Sequence, residues 1–312
     1  MRRAALSLAL AVFAALGVSP ATKKTETADK PRPPQRLMPI GGEPRKVLVR
    51  DGDTLLDVAF DYRLGFEAVE RLNPGVDPWI PVAGTVIDLP TQYVLPDVEP
   101  KGLVINVPEM RLYDFTVTPM EVFAAAIGDE ADPSLHGEYK VGAKRKNPAW
   151  YVPASIKAEK PDLPAVVPAG PDNPLGSRWM TIGNTSYGIH GTNKQWSIGR
   201  MATHGCVRLY DDQIKKLYDR TPTGTRLQLL YQPYKWGIDG NDLYLEVHPD
   251  LYGRYPGPLT EALRTPRELG ILRHIDLELA WRAVEEARGV PVWVGRLPEP
   301  PPTLPVTSRP TS

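Results

Sequence analysis

The sequence predicts a mainly β protein whose central domain, residues 102–231, is of sandwich or barrel type. A small α+β unit in strand-helix-helix-strand order precedes it at 46–91, and a small α/β subdomain follows at 232–296. Three observations carry this reading. Short apolar runs separated by turn residues recur from Gly102 to Tyr231, as in an all-β domain. Between Lys46 and Pro90 the apolar spacing changes from strand-like to helical and back. Beyond Tyr231, a strand-like run, a helix-start signal and a short final strand follow one another.

The chain opens with Arg2 and Arg3, an apolar run from Ala4 to Val18, and the small residues Ser19-Pro20-Ala21. That order describes a secretory signal peptide over 1–21, and the run is shorter than the ~17–25 residues that span a bilayer. Residues 22–45 are charged, polar and proline-containing and read as a linker. Val47-Leu48-Val49 then reads as a strand and Gly52-Asp53 as a turn, with Asp53 or Thr54 as a helix cap. Leu55, Val58, Ala59 and Tyr62 form one helical face. A second helix carries Phe66, Val69 and Leu72 and stops at Asn73-Pro74-Gly75, and Thr85–Leu89 closes the unit as a strand.

In the central domain, Leu103–Val107 and Met110–Tyr113 read as a hairpin. Further strands are expected at Val122–Ile127, Gly137–Val141, Trp179–Ile182, Gly188–His190, Cys206–Leu209 and Thr225–Leu230. One helix is expected, capped by Asp211, with Ile214, Leu217 and Tyr218 on its apolar face. The segment Lys144 to Gly176 is long, irregular and proline-rich; such loops in compact domains are usually functional or disordered, and it reads as a lid or cleft wall. In the last subdomain Asp242–Val247 is a strand. Thr265-Pro266-Arg267-Glu268 reads as the capped start of a helix reaching Arg288, and Val290–Val294 as a final strand. Residues 297–312 read as a disordered proline-rich tail.

Lys+Arg and Asp+Glu both number 37, so the formal net charge is zero. That balance argues against a nucleic-acid partner, which calls for a basic excess. There is a single cysteine, Cys206. A lone thiol in an exported chain cannot form an intrachain disulfide and is a candidate reactive group.

The surroundings of Cys206 bear this out chemically. Ile189-His190-Gly191-Thr192-Asn193 is followed by Thr203-His204-Gly205-Cys206-Val207-Arg208. A cysteine acyltransferase needs an imidazole to take the thiol proton and N–H donors for the developing oxyanion. His190 and His204 are both within reach by sequence, and spacing does not choose between them. Gly205 allows close backbone approach. His190, His204 and Cys206 are also possible zinc ligands, but their spacing fits no zinc motif, so neither a metal nor a cofactor is expected.

These two segments resemble the signature of L,D-transpeptidases with the YkuD-type catalytic domain, in the subgroup of the Gram-negative periplasm, over about Gly102 to Tyr231. The resemblance implies a nucleophilic Cys206, His190 as its proton donor/acceptor, an orienting His204, and the Gly205 N–H as an oxyanion donor. Arg208 becomes either a contact for a substrate carboxylate or a member of a structural ion pair, and Thr192, Asn193 and Trp150 become candidate substrate contacts. The implied reaction releases the terminal D-alanine of a peptidoglycan tetrapeptide stem through a thioacyl-enzyme and passes the acyl group to an amine. The acceptor stays open: a second stem, a lysine of an outer-membrane lipoprotein, a free D-amino acid, or water, which would make the protein a peptidase. A wall-binding protein without activity is the nonchemical alternative. Separately, Gly52-Asp53-Thr54-Leu55, Asn73-Pro74 and the Gly84-to-Pro90 ending resemble a LysM module, which implies affinity for peptidoglycan glycan.

Overall fold

The computed structural model describes residues 36–299. The signal peptide expected at 1–21, the linker up to residue 35 and the tail from residue 300 lie outside the described residues. No helix among the described residues is long and apolar enough to cross a membrane.

The central domain is built on an eight-stranded sheet. From one edge to the other its strands are Val207–Arg208, Gly188–His190, Arg178–Ile182, Gly137–Lys146, Arg226–Leu230, Leu103–Asn106, Arg111–Asp114 and Glu121–Ala124. Two neighbouring pairs are parallel, Gly188–His190 with Val207–Arg208 and Arg226–Leu230 with Leu103–Asn106. One face packs on the helix Asp211–Arg220. Its Ile214, Leu217 and Tyr218 meet Leu103, Ile105, Met180, Ile189 and Val207 in one apolar core. The mainly β expectation therefore holds, with differences in detail. Val122–Ile127 is not one strand, because Ile127–Gly128 leaves the sheet to pair with Met201–Thr203. Tyr210, not Asp211, occupies the cap of the central helix. The Asp211 carboxylate turns instead to the backbone N–H and hydroxyl of Ser177, at 2.8 and 2.9 Å.

The small unit has the expected order, with strands Arg45–Leu48 and Val86–Leu89 around helices Leu55–Asp61 and Phe66–Leu72. Thr54 is the cap: its hydroxyl accepts from the Asp57 N–H while the Asp57 carboxylate accepts from the Thr54 N–H, the reciprocal arrangement that satisfies two free helix donors. Leu55, Val58, Ala59, Phe66, Val69, Ile87 and Leu89 form its core. This unit sits directly on the central domain. Gly65 and Gly199 meet so closely that a Cβ on Gly199 would stand 2.2 Å from the Gly65 Cα. The Phe66 N–H donates to the Ile198 carbonyl, Tyr210 Oη donates to the Leu64 carbonyl at 2.8 Å, and Arg63 pairs with Asp212 at 2.9 Å. Ile198 and Gly199 belong to the stretch joining the His190 and Cys206 segments.

The C-terminal subdomain is larger than its sequence span suggested. Its five-stranded sheet runs Pro291–Arg296, Asp242–Val247, Tyr234–Asp239, Met38–Gly41, Tyr93–Val94. Residues 38–41, expected within a linker, form a strand parallel to Tyr234–Asp239. Leu37 and Met38 are buried there, a run too short to show a period amid prolines and charges. The long helix expected from Thr265-Pro266 is also corrected. Thr265 lies inside a short helix, Arg264–Glu268, the chain turns at Gly270 with φ +70°, and the main helix is Leu277–Glu286, capped by Asp276. The tail begins later than residue 297, since Leu297 is buried in this subdomain's core and its N–H donates to the Asn241 carbonyl.

Where the three parts meet, charge is buried. Lys235 Nζ lies 2.8 Å from Glu109 Oε1 and 3.0 Å from Glu246 Oε1, Arg111 contacts both carboxylates, and His248 Nε2 lies 2.7 Å from Glu246. Tyr113 donates to Glu109, and the Val94 N–H donates to Glu246. Burial alone would push the Glu246 carboxyl up, but Lys235, His248 and Arg111 outweigh it and hold it down at about 2. This cluster joins strands from residues 94, 109–113 and 235–248.

Candidate active site

The face of the eight-stranded sheet away from the central helix carries the site. Gly188–His190 lies between two strands, with His190 opposite Trp179 on one side and opposite Arg208 on the other. Met180, Ile189 and Val207 point into the core. Strand alternation then sends Trp179, His190 and Arg208 to the opposite face. Cys206, two residues before Arg208, joins them in lining one cavity of about 540 Å³. The Trp179 and His190 rings stack, with centroids 5.4 Å apart.

The turn before Cys206 is fastened from behind. Thr203 Oγ1 donates to the Cys206 carbonyl at 2.6 Å, and Ser134 Oγ donates to the Gly205 carbonyl at 3.3 Å. Gly205 has φ +89°, and a Cβ there would meet the Tyr187 ring at 2.5 Å. Only glycine suits both constraints. With the carbonyls engaged, the backbone hydrogen bonds of turns and loops among the described residues include none donated by the N–H of Gly205 or Cys206. Cys206 therefore does not sit within a regular strand; the strand starts at Val207.

His190 is buried, 3 % exposed. Burial and the nearby Arg208 cation push its pKa down to about 3, against a smaller upward pull from the Gly191 and Leu175 carbonyls. Its Nδ1 lies 2.6 Å from the Gly191 carbonyl oxygen. A carbonyl can only accept, so Nδ1 carries the proton and Nε2 is left as the basic nitrogen. Burial pushes the Cys206 thiol up, while a Gly188 backbone hydrogen bond and Arg208 pull it partly back. Both shifts favour a neutral thiol and a neutral imidazole in the one cavity over a preformed thiolate–imidazolium pair.

The L,D-transpeptidase catalytic domain family, YkuD, matches residues 100–229. The probable L,D-transpeptidase YcfS of Escherichia coli is 35% identical over 297 residues, which cover 88% of this chain and 90% of YcfS. The chain belongs to the L,D-transpeptidase family. Two further E. coli members of that family, both named probable L,D-transpeptidases, agree. YbiS is 37% identical over 257 residues, 78% of this chain and 82% of its own, and ErfK/SrfK is 35% identical over 284 residues, 85% and 90%.

In this L,D-transpeptidase Cys206, His190, His204, Arg208, Thr192, Asn193 and Trp150 all line one cavity, and Gly205 adjoins it in the chain between His204 and Cys206. Arg208 lines it beside His190, its buried Nε has no partner, and it forms no ion pair among the described residues. Thr192 lines it with its hydroxyl accepting from the Lys194 N–H, and Asn193 lines it while its side-chain amide donates to the Asp172 carbonyl. Trp150 stands on the long segment after Lys144, which is only partly irregular. Gly137–Lys146 extends into that segment, Trp150–Tyr151 pairs with Val166–Val167, and Ala154–Glu159 is a short helix. This segment forms a wall of the cavity. His204 reaches the wall, its Nε2 3.0 Å from Glu159.

Two groups of three residues among those described place potential metal-ligand atoms within 4.8 Å of one another: Glu109, Glu246 and His248, and Asp132, Glu159 and His204. The first already holds Lys235 and Arg111. Neither contains Cys206 or His190. Sequence reasoning missed Ser134, Trp179 and Asp211 as supports of the site. Ser134 is 71 residues from the carbonyl it holds, and no local pattern reports such a contact. Asp211 was legible only as a helix-start residue, although a Cβ on Gly191 would strike its carboxylate at 2.4 Å.

Proposed function

We propose that this enzyme acts on peptidoglycan tetrapeptide stems in the periplasm through a thioacyl-enzyme on Cys206. The observation that carries the reading is the register of His190 with Arg208, which sets Cys206, His190 and an unpaired guanidinium on one face of one cavity. Cys206 Sγ attacks the carbonyl of the third stem residue as His190 Nε2 takes the thiol proton. The oxyanion is met by the N–H groups of Gly205 and Cys206. The carbon–nitrogen bond to D-alanine breaks, and His190 returns the proton to the leaving amine. An acceptor amine then attacks the thioester, gives its proton to His190, and the thiol re-forms.

Arg208 suits the terminal carboxylate of the donor, since it is a half-buried cation without a counter-charge among the described residues. The wall segment and the sheet both line the cavity, and an acceptor amine that occupies it next to the thioester competes with water for the acyl group. The acceptor is a second stem or a lipoprotein lysine. The small N-terminal unit acts as a LysM module that binds the glycan; its loop exposes Trp79, Ile80 and Val82, and the Trp79 ring stacks on Phe66.

The test is incubation of the purified protein with a tetrapeptide muropeptide, with products followed by mass spectrometry beside Cys206→Ala. A crosslinked dimer that has lost D-alanine is expected from the unaltered enzyme alone. Equal activity in Cys206→Ala would rule out the cysteine mechanism, and a product formed by water addition would make the enzyme a peptidase.

A further inference from the structure

Four side chains stand in one row across four adjacent strands. His190 is in register with Arg208 on one side and Trp179 on the other, and Trp179 is in register with Arg145. All four line the Cys206 cavity. The side on which Arg145 lies follows from its neighbour. Lys144 pairs with Met180 and sends its ammonium to the Tyr218 and Thr221 carbonyls, on the helix side of the sheet. Alternation therefore turns Arg145 to the cavity side.

The row reads cation, imidazole, indole, cation. Strands lie about 4.8 Å apart, so the backbones at Arg208 and Arg145 are separated by roughly 14 Å. An extended chain advances about 3.3–3.6 Å per residue, so that span corresponds to about four residues, and to as few as about two where the two long side chains lean toward one another.

Among the described residues nothing holds the Arg145 side chain. It is exposed and makes no ion pair or side-chain hydrogen bond among the described residues. Arg226, Arg220 and Arg63 on the same domain faces and its junction each hold a carboxylate. Asp132 and Asp172 line the cavity too, yet neither pairs with Arg145 or Arg208. The cavity thus has an unpaired guanidinium at each end of the row, and the planar fork of an arginine matches a carboxylate bidentately.

We infer that Arg145 is a specificity residue that binds a second carboxylate of the donor stem, upstream of the bond attacked by Cys206, while Arg208 holds the terminal one. This rests on the tetrapeptide-donor reading above. The ligand class is a peptide with two free carboxylates separated by two to four residues. A stem whose second residue is a γ-linked glutamate presents its α-carboxylate at such a place. The indole of Trp179, between the two cations, supplies an apolar floor for the intervening chain. Arg145 touches no reacting atom, so its contribution falls on binding and not on the chemical step.

The experiment uses the full chain and two tetrapeptide donors, identical except that the second residue's carboxylate is free in one and amidated in the other. D-alanine release is measured for the unaltered enzyme, Arg145→Ala and Arg145→Lys, with acylation of Cys206 by a carbapenem followed by mass as a check on the nucleophile. Arg145→Ala is expected to raise KM for the free-acid donor about tenfold or more, with kcat within twofold and acylation by the carbapenem retained. On the amidated donor the unaltered enzyme and Arg145→Ala should agree, and Arg145→Lys should recover part of the discrimination. An equal rise in KM on both donors, an unchanged KM on the free-acid donor, a fall in kcat alone, or loss of carbapenem acylation in Arg145→Ala would overturn the inference. If the unaltered enzyme is acylated by the carbapenem but releases D-alanine from neither donor, the donor reading itself fails, and the role of Arg145 falls with it.

Discussion

The Thr203 hydroxyl donates a 2.6 Å hydrogen bond to the Cys206 carbonyl and so closes the turn that presents the sulfur. Thr203 is itself buried, 1 % exposed, so no water can take over that bond. Thr203→Val keeps the shape and leaves the carbonyl unpaired, at a cost of about 1–3 kcal/mol. The expected outcome is at least a tenfold slower acylation of Cys206 by a carbapenem, with Thr203→Ser close to the unaltered rate. Equal rates for valine and threonine would show that the turn holds without the bond.

Gly205→Ala tests the same turn by a different route. The new Cβ would stand 2.5 Å from the Tyr187 ring, at a φ of +89°. Backbone strain of this kind costs about 1–3 kcal/mol. A lowered Tm together with loss of acylation is expected, and a variant with full activity would mean that the loop relaxes freely.

Acylation should depend on pH in a particular way. His190 is held neutral down to about pH 3, and the Cys206 thiol is pushed above its usual range. The rate of acylation should therefore show no acid limb near 6.5, and alkylation of Cys206 by iodoacetamide should climb with a midpoint above 9. An alkylation midpoint below 7 would indicate a preformed thiolate. Stability follows from the same shift. The unfolded chain binds a proton at His190 below pH 6.5 that the folded chain refuses until about 3, so stability should fall as pH drops through that window. His248, lowered by burial, acts in the same direction, and His190→Asn should make the decline of Tm between pH 7 and 4 shallower.

The buried cluster at the junction makes a strong prediction for Lys235. Lys235→Met leaves Glu109 and Glu246 with Arg111 as their remaining fixed cation. Breaking one partner of a buried ionic group costs about 3–5 kcal/mol. Urea denaturation should show a loss of that order, and Lys235→Met combined with Glu109→Gln should recover part of it. Glu246, held down at about 2, contributes stability that is present above its ordinary value of 4.5 and lost as pH falls toward 2.

Much of the site was legible because its chemistry is local in sequence. His190-Gly191-Thr192-Asn193 and Thr203 to Arg208 sit on short segments whose glycines mark turns, and Thr54 is followed by Asp57 at the spacing of a reciprocal cap. What stayed hidden depends on partners far along the chain. Met38–Gly41 pairs with a strand some two hundred residues later, and four residues among prolines show no period. Lys235 and Glu246 are 2 % and 0 % exposed because each neutralises the other, a pairing that charge in the sequence does not reveal. The strand Tyr234–Asp239, which carries Lys235, was not anticipated. Arg145 was invisible as a site residue since its place in the row is set by strand register, which sequence does not print.

The contact between Gly65 and Gly199 has a mechanical meaning. Two backbones touch without side chains between them, and the Phe66 N–H and Tyr210 hydroxyl lock the approach. A flexibly tethered module raises local concentration in a way governed by linker length; one seated on the chain segment between His190 and Cys206 behaves as a fixed caliper. On the proposed reading, in which its outer face grips the glycan, the sulfur would be held at a set distance from the bound strand, and stems would be selected by their position along it as well as by their composition.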